Sequence, residues 1–182
     1  MRVIAGTAKS LRLKTPDGMD TRPTTDRIKE TLFNMLQPYL PDAVFFDLYS
    51  GSGGIGIEAL SRGARHAYFV ENNKNAIVCI TDNLQHTKFT DRATILKQDV
   101  LSALHGISER EADIIFMDPP YDHDYEKEVL RILGGAPYVT ERTLIVVEAS
   151  LKSDFSYLEQ MGFVLTKEKC YKTNKHVFCH KA

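Results

Sequence analysis

Length, composition and charge place the chain among globular proteins. It has 182 residues, of which 43% are hydrophobic and 26% charged, enough for one well-packed core. No apolar run approaches the roughly 18 residues that a membrane-spanning helix needs, and the N-terminus lacks the apolar segment of a signal peptide, so we expect a cytoplasmic protein without membrane contact. Three widely spaced cysteines and six scattered histidines argue against a disulfide framework and predict no metal site.

Positive charge is concentrated at the two ends of the chain. The net charge is −1, yet residues 1–14 carry four basic residues and no acidic one, and residues 163–182 carry five lysines against Glu168. Two basic ends on an acidic body predict a surface that contacts phosphate groups. The alternative is charge that is merely solvated.

The N-terminal part begins with a short extension and a helix. MRVIAGTAKSLRLK alternates apolar and polar residues around a central turn, which predicts a small basic β-hairpin. We therefore divide the chain into an extension at 1–20 and a main domain at 21–182. In RPTTDRIKETLFNML the candidate helix N-caps are Thr24, Thr25 and Asp26. The predicted apolar face of this helix consists of Ile28, Leu32, Met35 and Leu36.

A strand, loop and helix pattern repeats through the rest of the chain. Short apolar strands are predicted near 43–49, 66–71, 93–98, 113–118 and 143–149, with helices between them, for example at 73–84 and 125–133. This alternation predicts an α/β fold with a doubly wound, mainly parallel sheet that binds ligands at the carboxyl ends of its strands. Two further strands flank Thr173 and Asn174 and predict an antiparallel edge.

A glycine-rich loop follows the first predicted strand. In DLYSGSGGIG, Gly51, Gly53 and Gly56 allow a sharp turn and close approach of a ligand to the start of the next helix. Glu71 ends the second strand, about 20 residues further on, where a carboxylate can bind both hydroxyls of a ribose. The pattern fits a dinucleotide and S-adenosylmethionine equally, because the adenosine half is the same; a turn without a ligand is the third possibility.

Two further acidic residues bear on the choice of ligand. Asp47 lies beside the glycine loop, where its charge would repel a pyrophosphate but suit the ammonium and sulfonium groups of S-adenosylmethionine. Asp99 ends the third strand, where it can hold an adenine amino group or cap the following helix. Asp47 therefore favours S-adenosylmethionine, whereas both interpretations of Asp99 remain open.

The fourth strand ends in DPPY. The two prolines deny the strand its next hydrogen-bond donors, so that Asp118 and the carbonyl of Pro119 can point into the cleft beyond the sheet. Two acceptors that bind both hydrogens of a planar amino group localise its lone pair toward a methyl donor, and Tyr121 can stack on the base. A base must leave its stack to enter such a cleft. The alternative is a strand that is simply capped by prolines.

These motifs, in this order and at these strand ends, resemble the class I S-adenosylmethionine-dependent amino-methyltransferases. RPTTDRIKETLFNML and the basic hairpin are similar, more narrowly, to the bacterial family that methylates the exocyclic amino group (N2) of a guanine in 16S ribosomal RNA. The likeness covers nearly the whole chain. It implies a seven-stranded Rossmann-like sheet with an antiparallel C-terminal strand, S-adenosylmethionine as cofactor, and ribosomal RNA, within a small-subunit particle, as the partner of a monomeric enzyme.

On this basis we assign three groups of site residues. The target amino group is expected to contact Asp118, Pro119 and Tyr121. The methyl donor is expected to contact Asp47, Ser50, Gly51, Gly53, Gly56, Glu71, Asn72, Asp99 and Val100. The RNA is expected to contact Arg2, Arg12, Lys14, Arg22, Thr24, Thr25 and Pro120.

Rival interpretations follow from parts of the same pattern. A nicotinamide-dependent oxidoreductase would explain the glycines and Glu71, but not Asp47 or DPPY. A non-catalytic RNA-binding module would explain the basic ends alone. Among methyltransferases, DPPY also suits the amino groups of adenine and cytosine, and related motifs serve protein glutamine, so the motif chemistry specifies only a planar amino group.

Overall fold

The computed structural model describes residues 1–16, 26–120 and 125–182. The five helices with bounds in these ranges are α1 (Asp26–Leu36), α2 (Gly54–Ser61), α3 (Lys74–Thr87), α4 (Val100–His105) and α5 (Tyr125–Gly135). The strands are β1 (Val44–Leu48), β2 (His66–Val70), β3 (Ala93–Leu96), β4 (Ile114–Met117), β5 (Leu144–Ser150), β6 (Phe163–Cys170) and β7 (Asn174–Lys181). None of the helices in the described ranges is long and apolar enough to cross a membrane.

The strands form one seven-stranded sheet in the order β3-β2-β1-β4-β5-β7-β6. The first five strands along the chain pair in parallel, whereas β7 runs antiparallel to both β5 and β6. Every residue of β1 and β4 is buried, as expected for central strands covered on both faces. The predicted α/β fold with a doubly wound sheet and an antiparallel C-terminal edge is confirmed.

Helices cover both faces of the sheet. One face packs against apolar residues of α1, α2 and α3, among them Phe33, Ile57 and Ile80. The other packs against α4 and α5, for example through Leu104 and Leu133. Since β1 lies between β2 and β4, the chain order reverses beside β1, and the loops that follow β1 and β4 border one cleft at the carboxyl edge.

The N-terminal segment packs against α1 and α2. Residues 1–13 pair with each other in antiparallel fashion around a bridge between Arg2 and Arg12, and Val3 and Leu13 are buried in the same apolar cluster as α1 and α2. The hairpin-like segment thus shares a core with the helices. The predicted domain boundary between 20 and 21 lies outside the described residues.

Buried charges fix this segment to the helices. Glu58 of α2 is fully buried and accepts hydrogen bonds from the backbone N–H groups of Ile4 (2.8 Å) and Ala5 (3.0 Å) and from Arg62 Nε (2.7 Å). Lys29 Nζ lies 3.4 Å from Glu58 Oε2 and donates to the carbonyl of Arg2. Burial lowers the pKa of Lys29, and the Glu58 charge opposes that shift. Glu58 therefore holds α1, α2 and the N-terminal segment together.

The apolar face predicted for α1 was partly wrong. Leu32 and Leu36 are buried as expected, but Ile28 and Met35 are only half-buried. Their places in the core are taken by Phe33 and by Lys29, which is 1% exposed. A lysine enters the core here because Glu58 and a backbone carbonyl satisfy its ammonium group.

The first prediction concerns the Glu58 cluster. Glu58→Ala leaves a buried lysine and two backbone donors without their acceptor. We therefore expect the free energy of unfolding, measured in urea, to be about 3–5 kcal/mol lower than in the parent protein. Glu111→Ala is the matched control because Glu111 pairs with the exposed Arg142 at the surface, and we expect a loss of about 1 kcal/mol or less. Equal, small losses in both variants would contradict the role of Glu58.

Candidate active site

A cavity of about 280 Å³ opens at the carboxyl ends of the parallel strands. Its wall consists of Tyr49, Val70, Glu71, Asn72, Gln98, Asp99, Val100, Leu101, Pro120 and Tyr125. The wall includes five of the predicted site residues and five aromatic, apolar or amide residues that the sequence did not single out, Tyr49, Val70, Gln98, Leu101 and Tyr125. A more open depression of about 400 Å³, lined by residues 139–142 and 181–182, lies at the opposite edge of the sheet.

The glycine loop makes the tight turn that its sequence predicts. Gly51 and Gly53 have φ values of 54° and 79°, and Gly53 is the N-cap of α2. At Gly56 a Cβ atom would lie 2.4 Å from the ring of Phe69, so only glycine allows α2 to pack this closely on β2. Ser50 anchors the loop, since its N–H donates to the carbonyl of Val70 (3.0 Å).

Asp47 stabilises the glycine loop by accepting a hydrogen bond at the start of α2. It is 1% exposed, and its Oδ2 accepts a hydrogen bond from the N–H of Gly56 at 2.8 Å. Burial raises the pKa of Asp47 well above its usual value, with smaller contributions from the charges of Asp118 and Glu71. The carboxyl group of Asp47 lies at the N-terminus of α2 and, like Ser50 and the glycines of the loop, is not part of the described cavity wall, so its contact with the methyl donor stays a prediction.

Glu71 joins two loops of the cavity wall. Its Oε2 accepts from the N–H of Gly51 (2.9 Å), and its Oε1 accepts from the N–H groups of Asn72 and Asn73 (2.9 Å each). The carboxylate is half-buried and still forms part of the wall. Glu71 therefore fixes the geometry of the glycine loop as well as offering acceptor oxygens to a ligand.

Asp99 is the N-cap of α4. Its Oδ1 accepts from the N–H of Ser102 at 2.9 Å, and hydrogen bonds from Ser102 lower the pKa of Asp99. The side chain is exposed and lies in the cavity wall beside the buried Val100. The structure is therefore compatible with both interpretations of Asp99, because a carboxylate that caps a helix still has lone pairs that can accept a hydrogen bond from a ligand.

Asp118 follows β4 directly and precedes Pro120 of the cavity wall by two residues. Pro119 is buried, and Pro120 is exposed and lines the wall. Burial, and then the charge of Glu148, raise the pKa of Asp118 to about 8. Within the described part of the chain, no residue donates a hydrogen bond to this carboxyl group, which distinguishes it from Asp47 and Glu71.

A network that the sequence analysis missed lies beside Asp118. Glu148, near the end of β5, accepts from Asn174 Nδ2 (2.5 Å), and its Oε2 lies 3.0 Å from Nε2 of His176. Tyr171 OH lies 3.1 Å from Nδ1 of the same histidine. The only sequence signal was an acidic residue that interrupts the apolar run LIVVEA.

The basic N-terminal residues lie on the surface near the glycine loop. Arg2 pairs with Asp26 (2.8 Å) and Lys14 with Asp82 (2.7 Å), and Arg12 is exposed. The backbone N–H of Lys14 donates to Asn83 Oδ1, and Asn83 Nδ2 donates to the carbonyl of Ser52. One asparagine therefore connects the basic segment to the glycine loop.

Four predicted site residues cannot be placed. Arg22, Thr24, Thr25 and Tyr121 lie outside the described residues, so their assignments stay predictions. Among the residues that are described, no group of three or more His, Cys, Asp or Glu side chains has an arrangement suited to a metal ion.

Comparison with known proteins identifies relatives over the whole chain. The model of the family Conserved hypothetical protein 95 matches residues 1–180. YlbH of Bacillus subtilis (strain 168) is 39% identical over 174 residues, which cover 94% of each protein. Ribosomal RNA small subunit methyltransferase D of Haemophilus influenzae is 33% identical over 171 residues, which cover 93% of this chain and 88% of that protein.

A solved structure agrees with these relationships. The structure of yhhF from Escherichia coli superimposes with a TM-score of 0.86 at 30% sequence identity, over 100% of this chain and 97% of that one. The agreement extends over the sheet, the glycine loop and the C-terminal hairpin, since the whole chain is covered. The chain belongs to the Conserved hypothetical protein 95 family, the family of the bacterial small-subunit ribosomal RNA methyltransferases D.

Proposed function

We propose that the protein transfers a methyl group from S-adenosylmethionine to the exocyclic amino group N2 of a guanine in 16S ribosomal RNA. The observation that carries this proposal is one cavity whose wall includes Glu71, which binds the glycine loop at Gly51, and Pro120 of DPPY. Relatives named ribosomal RNA small subunit methyltransferase D support the choice of substrate. The protein would act as a monomer in the bacterial cytoplasm, on ribosomal RNA within a small-subunit particle.

The charges around the cavity fit S-adenosylmethionine better than a dinucleotide. Glu71 and Asp99 form part of the cavity wall. The charges of Asp118 and Glu71 both raise the pKa of Asp47, whose carboxyl group binds Gly56 of the glycine loop. Such an acidic surrounding repels a pyrophosphate and suits a cation. When bound, S-adenosylmethionine supplies an electrophilic methyl group on a sulfonium.

The adenosine half would be held by the wall that follows β2 and β3. Glu71 offers carboxylate oxygens to the ribose, Asp99 offers an acceptor to the adenine amino group, and Asn72 and Val100 border the base. The glycine loop at Ser50, with Gly51 and Gly53, would receive the methionine half. Asp47 and Gly56 act indirectly, by holding the loop against α2.

Asp118 and Pro119 would act on the guanine amino group. Their side-chain and carbonyl oxygens accept its two hydrogens, which localises the nitrogen lone pair and stabilises the positive charge that develops on the nitrogen. Tyr121 would stack on the base, as the family resemblance implies. Arg22, Thr24 and Thr25 would border the same cleft, and Pro120 would contact the target nucleotide.

Mapping of modified nucleotides tests the proposal directly. Ribosomal RNA from cells that lack this chain should miss one N2-methylguanosine in 16S RNA, and purified protein with S-adenosylmethionine should restore it. A missing methyl group on adenine or cytosine would redirect the substrate to another base. Binding of reduced nicotinamide cofactor in place of S-adenosylmethionine would overturn the methyltransferase assignment.

The second prediction tests the ribose contact. We expect Glu71→Ala to weaken S-adenosylmethionine binding by roughly 1–3 kcal/mol, because a hydrogen bond to a charged group is lost. Isothermal titration calorimetry measures the affinity, with Glu111→Ala as the control at the opposite edge of the sheet. Unchanged affinity in Glu71→Ala would remove Glu71 from the donor site.

The third prediction concerns the basic N-terminal segment. We expect Arg12→Glu to weaken RNA binding and to flatten its dependence on salt, with a larger effect when Arg2 and Lys14 are also reversed, because phosphate contacts release counterions. The matched control is Arg65→Glu, which reverses an exposed charge at the amino edge of the sheet. Donor affinity should stay constant in all variants. Equal RNA binding by the Arg12 and Arg65 variants would make the segment structural only.

The fourth prediction follows from the raised pKa of Asp118. A protonated carboxyl group is a poorer acceptor, so the single-turnover rate of methyl transfer should rise with pH through about 8. Asp118→Asn keeps one carbonyl acceptor and cannot titrate, so its rate should be flat over this range and retain much of the parent value. Asp118→Ala should lose most of the rate. Parent-like rates and pH profile in Asp118→Ala would reduce DPPY to a strand cap.

The pH dependence of folding stability tests the raised pKa of Asp118 independently of the methyl-transfer rate. The folded protein keeps the Asp118 proton up to about pH 8, whereas the unfolded chain releases it near pH 4, so this group makes folding less favourable as the pH rises between these values. Asp118→Asn removes that cost. We therefore expect its Tm at pH 8 to exceed the parent value by roughly 2–4 °C or more.

A further inference from the structure

Two carboxyl groups lie side by side at the carboxyl ends of β4 and β5, close in sequence to Pro120 of the cavity wall. Met117 pairs with Val147 in the last register position of β4 and β5, and Asp118 and Glu148 are the next residues of each strand. Side chains at matching positions of neighbouring strands lie on the same face of a sheet. The Glu148 charge contributes to the raised pKa of Asp118, which agrees with this proximity.

Glu148 is buried and held in one orientation. It is 5% exposed, and one oxygen is bonded to Asn174 while the other is bonded to His176. The ring of His176 lies between Glu148 at Nε2 and Tyr171 OH at Nδ1; in the tautomer with hydrogen on Nε2, the chain of donors runs from tyrosine to histidine to glutamate. Each oxygen of a carboxylate has lone pairs for about two bonds, so Glu148 retains acceptor capacity.

Asn174 adds an acceptor without a partner. Asn174 is 6% exposed, and its Oδ1 is buried and accepts no hydrogen bond within the described part of the chain. Its orientation is set by Glu148, because the opposite orientation would place an amide oxygen against the carboxylate. A buried acceptor left open is costly unless a donor reaches it. Once Asp118 is deprotonated, the polar side chains at the ends of β4 and β5 therefore present acceptors only: Asp118, Glu148 and the free Oδ1 of Asn174.

The edges of the bases differ in what lies beside the amino group. In guanine the N2 amino group is adjacent to the ring N1–H, so these two neighbouring positions present donors, while the acceptors O6 and N3 lie on either side of the pair. In adenine and cytosine the amino group is adjacent to a ring nitrogen that accepts. A wall of acceptors thus matches guanine and repels the ring lone pair of the other two bases.

We propose that Glu148 determines specificity for guanine by accepting the ring N1–H, while Asp118 and the carbonyl of Pro119 accept the hydrogens of the amino group. The inference rests on the proposed function and adds the means by which guanine is chosen. Asn174, His176 and Tyr171 are positioning residues, because they hold Glu148 in place.

The test compares two RNAs that differ at one position. The RNA or particle identified by mapping is rebuilt by ligation of a synthetic segment that carries guanosine or 2-aminopurine riboside at the target. 2-Aminopurine keeps the C2 amino group but has an acceptor at N1. We expect the parent protein to methylate guanosine about tenfold to a hundredfold faster, because a hydrogen bond to a charged acceptor is replaced by repulsion.

Glu148→Gln gives the sharper measurement. Its amide can donate to the N1 of 2-aminopurine, so the preference for guanosine should fall by about tenfold or more. Both proteins are given the same two RNAs, so any effect of 2-aminopurine on RNA folding cancels in the comparison. Glu111→Gln is the matched control and should keep the parent preference, and Asp118→Asn should change the rates on both RNAs by similar factors.

The outcomes separate this inference from the proposed function. Absence of methyl transfer to guanosine by the parent protein overturns the proposed function. Transfer at equal rates to guanosine and 2-aminopurine overturns the inference alone, and needs no variant that might misfold. If Glu148→Gln slows both reactions by the same factor, with parent-like Tm and donor affinity, Glu148 only positions Asp118 and the inference fails.

Discussion

The parallel pairing of β1 with β2 on one side and β4 on the other is the constraint on which the site depends. It places the carboxyl ends of these strands at one edge of the sheet. The loops after β1 and β4 therefore lie next to each other without an additional structural element between them. The glycine loop uses the same pairing, since the N–H of Ser50 bonds to the end of β2 and Glu71, the next residue of that chain segment, bonds to Gly51. Donor and acceptor loops are therefore positioned by the sheet itself.

Burying a carboxyl group at the carboxyl edge of the sheet costs free energy, and the carboxyl groups there differ in the hydrogen-bond donors that offset this cost. Asp47 receives a backbone N–H at the start of α2, and Glu148 receives Asn174 and His176. Asp118 has no donor within the described residues, and burial, followed by the charge of Glu148, raises its pKa to about 8. A perturbed acid in a cleft is a frequent mark of function, because the missing donor is then supplied by the ligand. The distribution of hydrogen-bond donors thus distinguishes Asp118 from Asp47 and Glu148, whose carboxyl groups are already bonded within the described part of the chain.

Much of the fold could be predicted from the sequence because its signals are local. Apolar runs of four to seven residues located the strands to within about two residues, and the glycines and prolines located the loops. Signals that arise from distant pairs were missed. The burial of Lys29 was not predicted, since the periodicity of one helix contains no information about Glu58, 29 residues later.

The candidate site shows the same division between local and distant information. The glycine loop, Glu71 and DPPY are contiguous patterns with a direct chemical meaning. Glu148 resembled an ordinary end of an apolar strand, and its importance depends on its pairing with His176 in the register of β5 and β7. That register is set by a hairpin formed far along the chain, so periodicity within either strand could not reveal it.

The antiparallel direction of β7 explains why the C-terminal hairpin reaches the acceptor end of the cavity. A parallel strand beside β5 would begin at the amino edge, whereas β7 begins at the carboxyl edge, and its first residues lie beside the end of β5. Alternation then directs Asn174 and His176 to the face of Glu148. In the proposed site, the donor half thus belongs to β1, β2 and β3 and the acceptor half to β4, β5 and β7, because the antiparallel β7 brings Asn174 and His176 to Glu148.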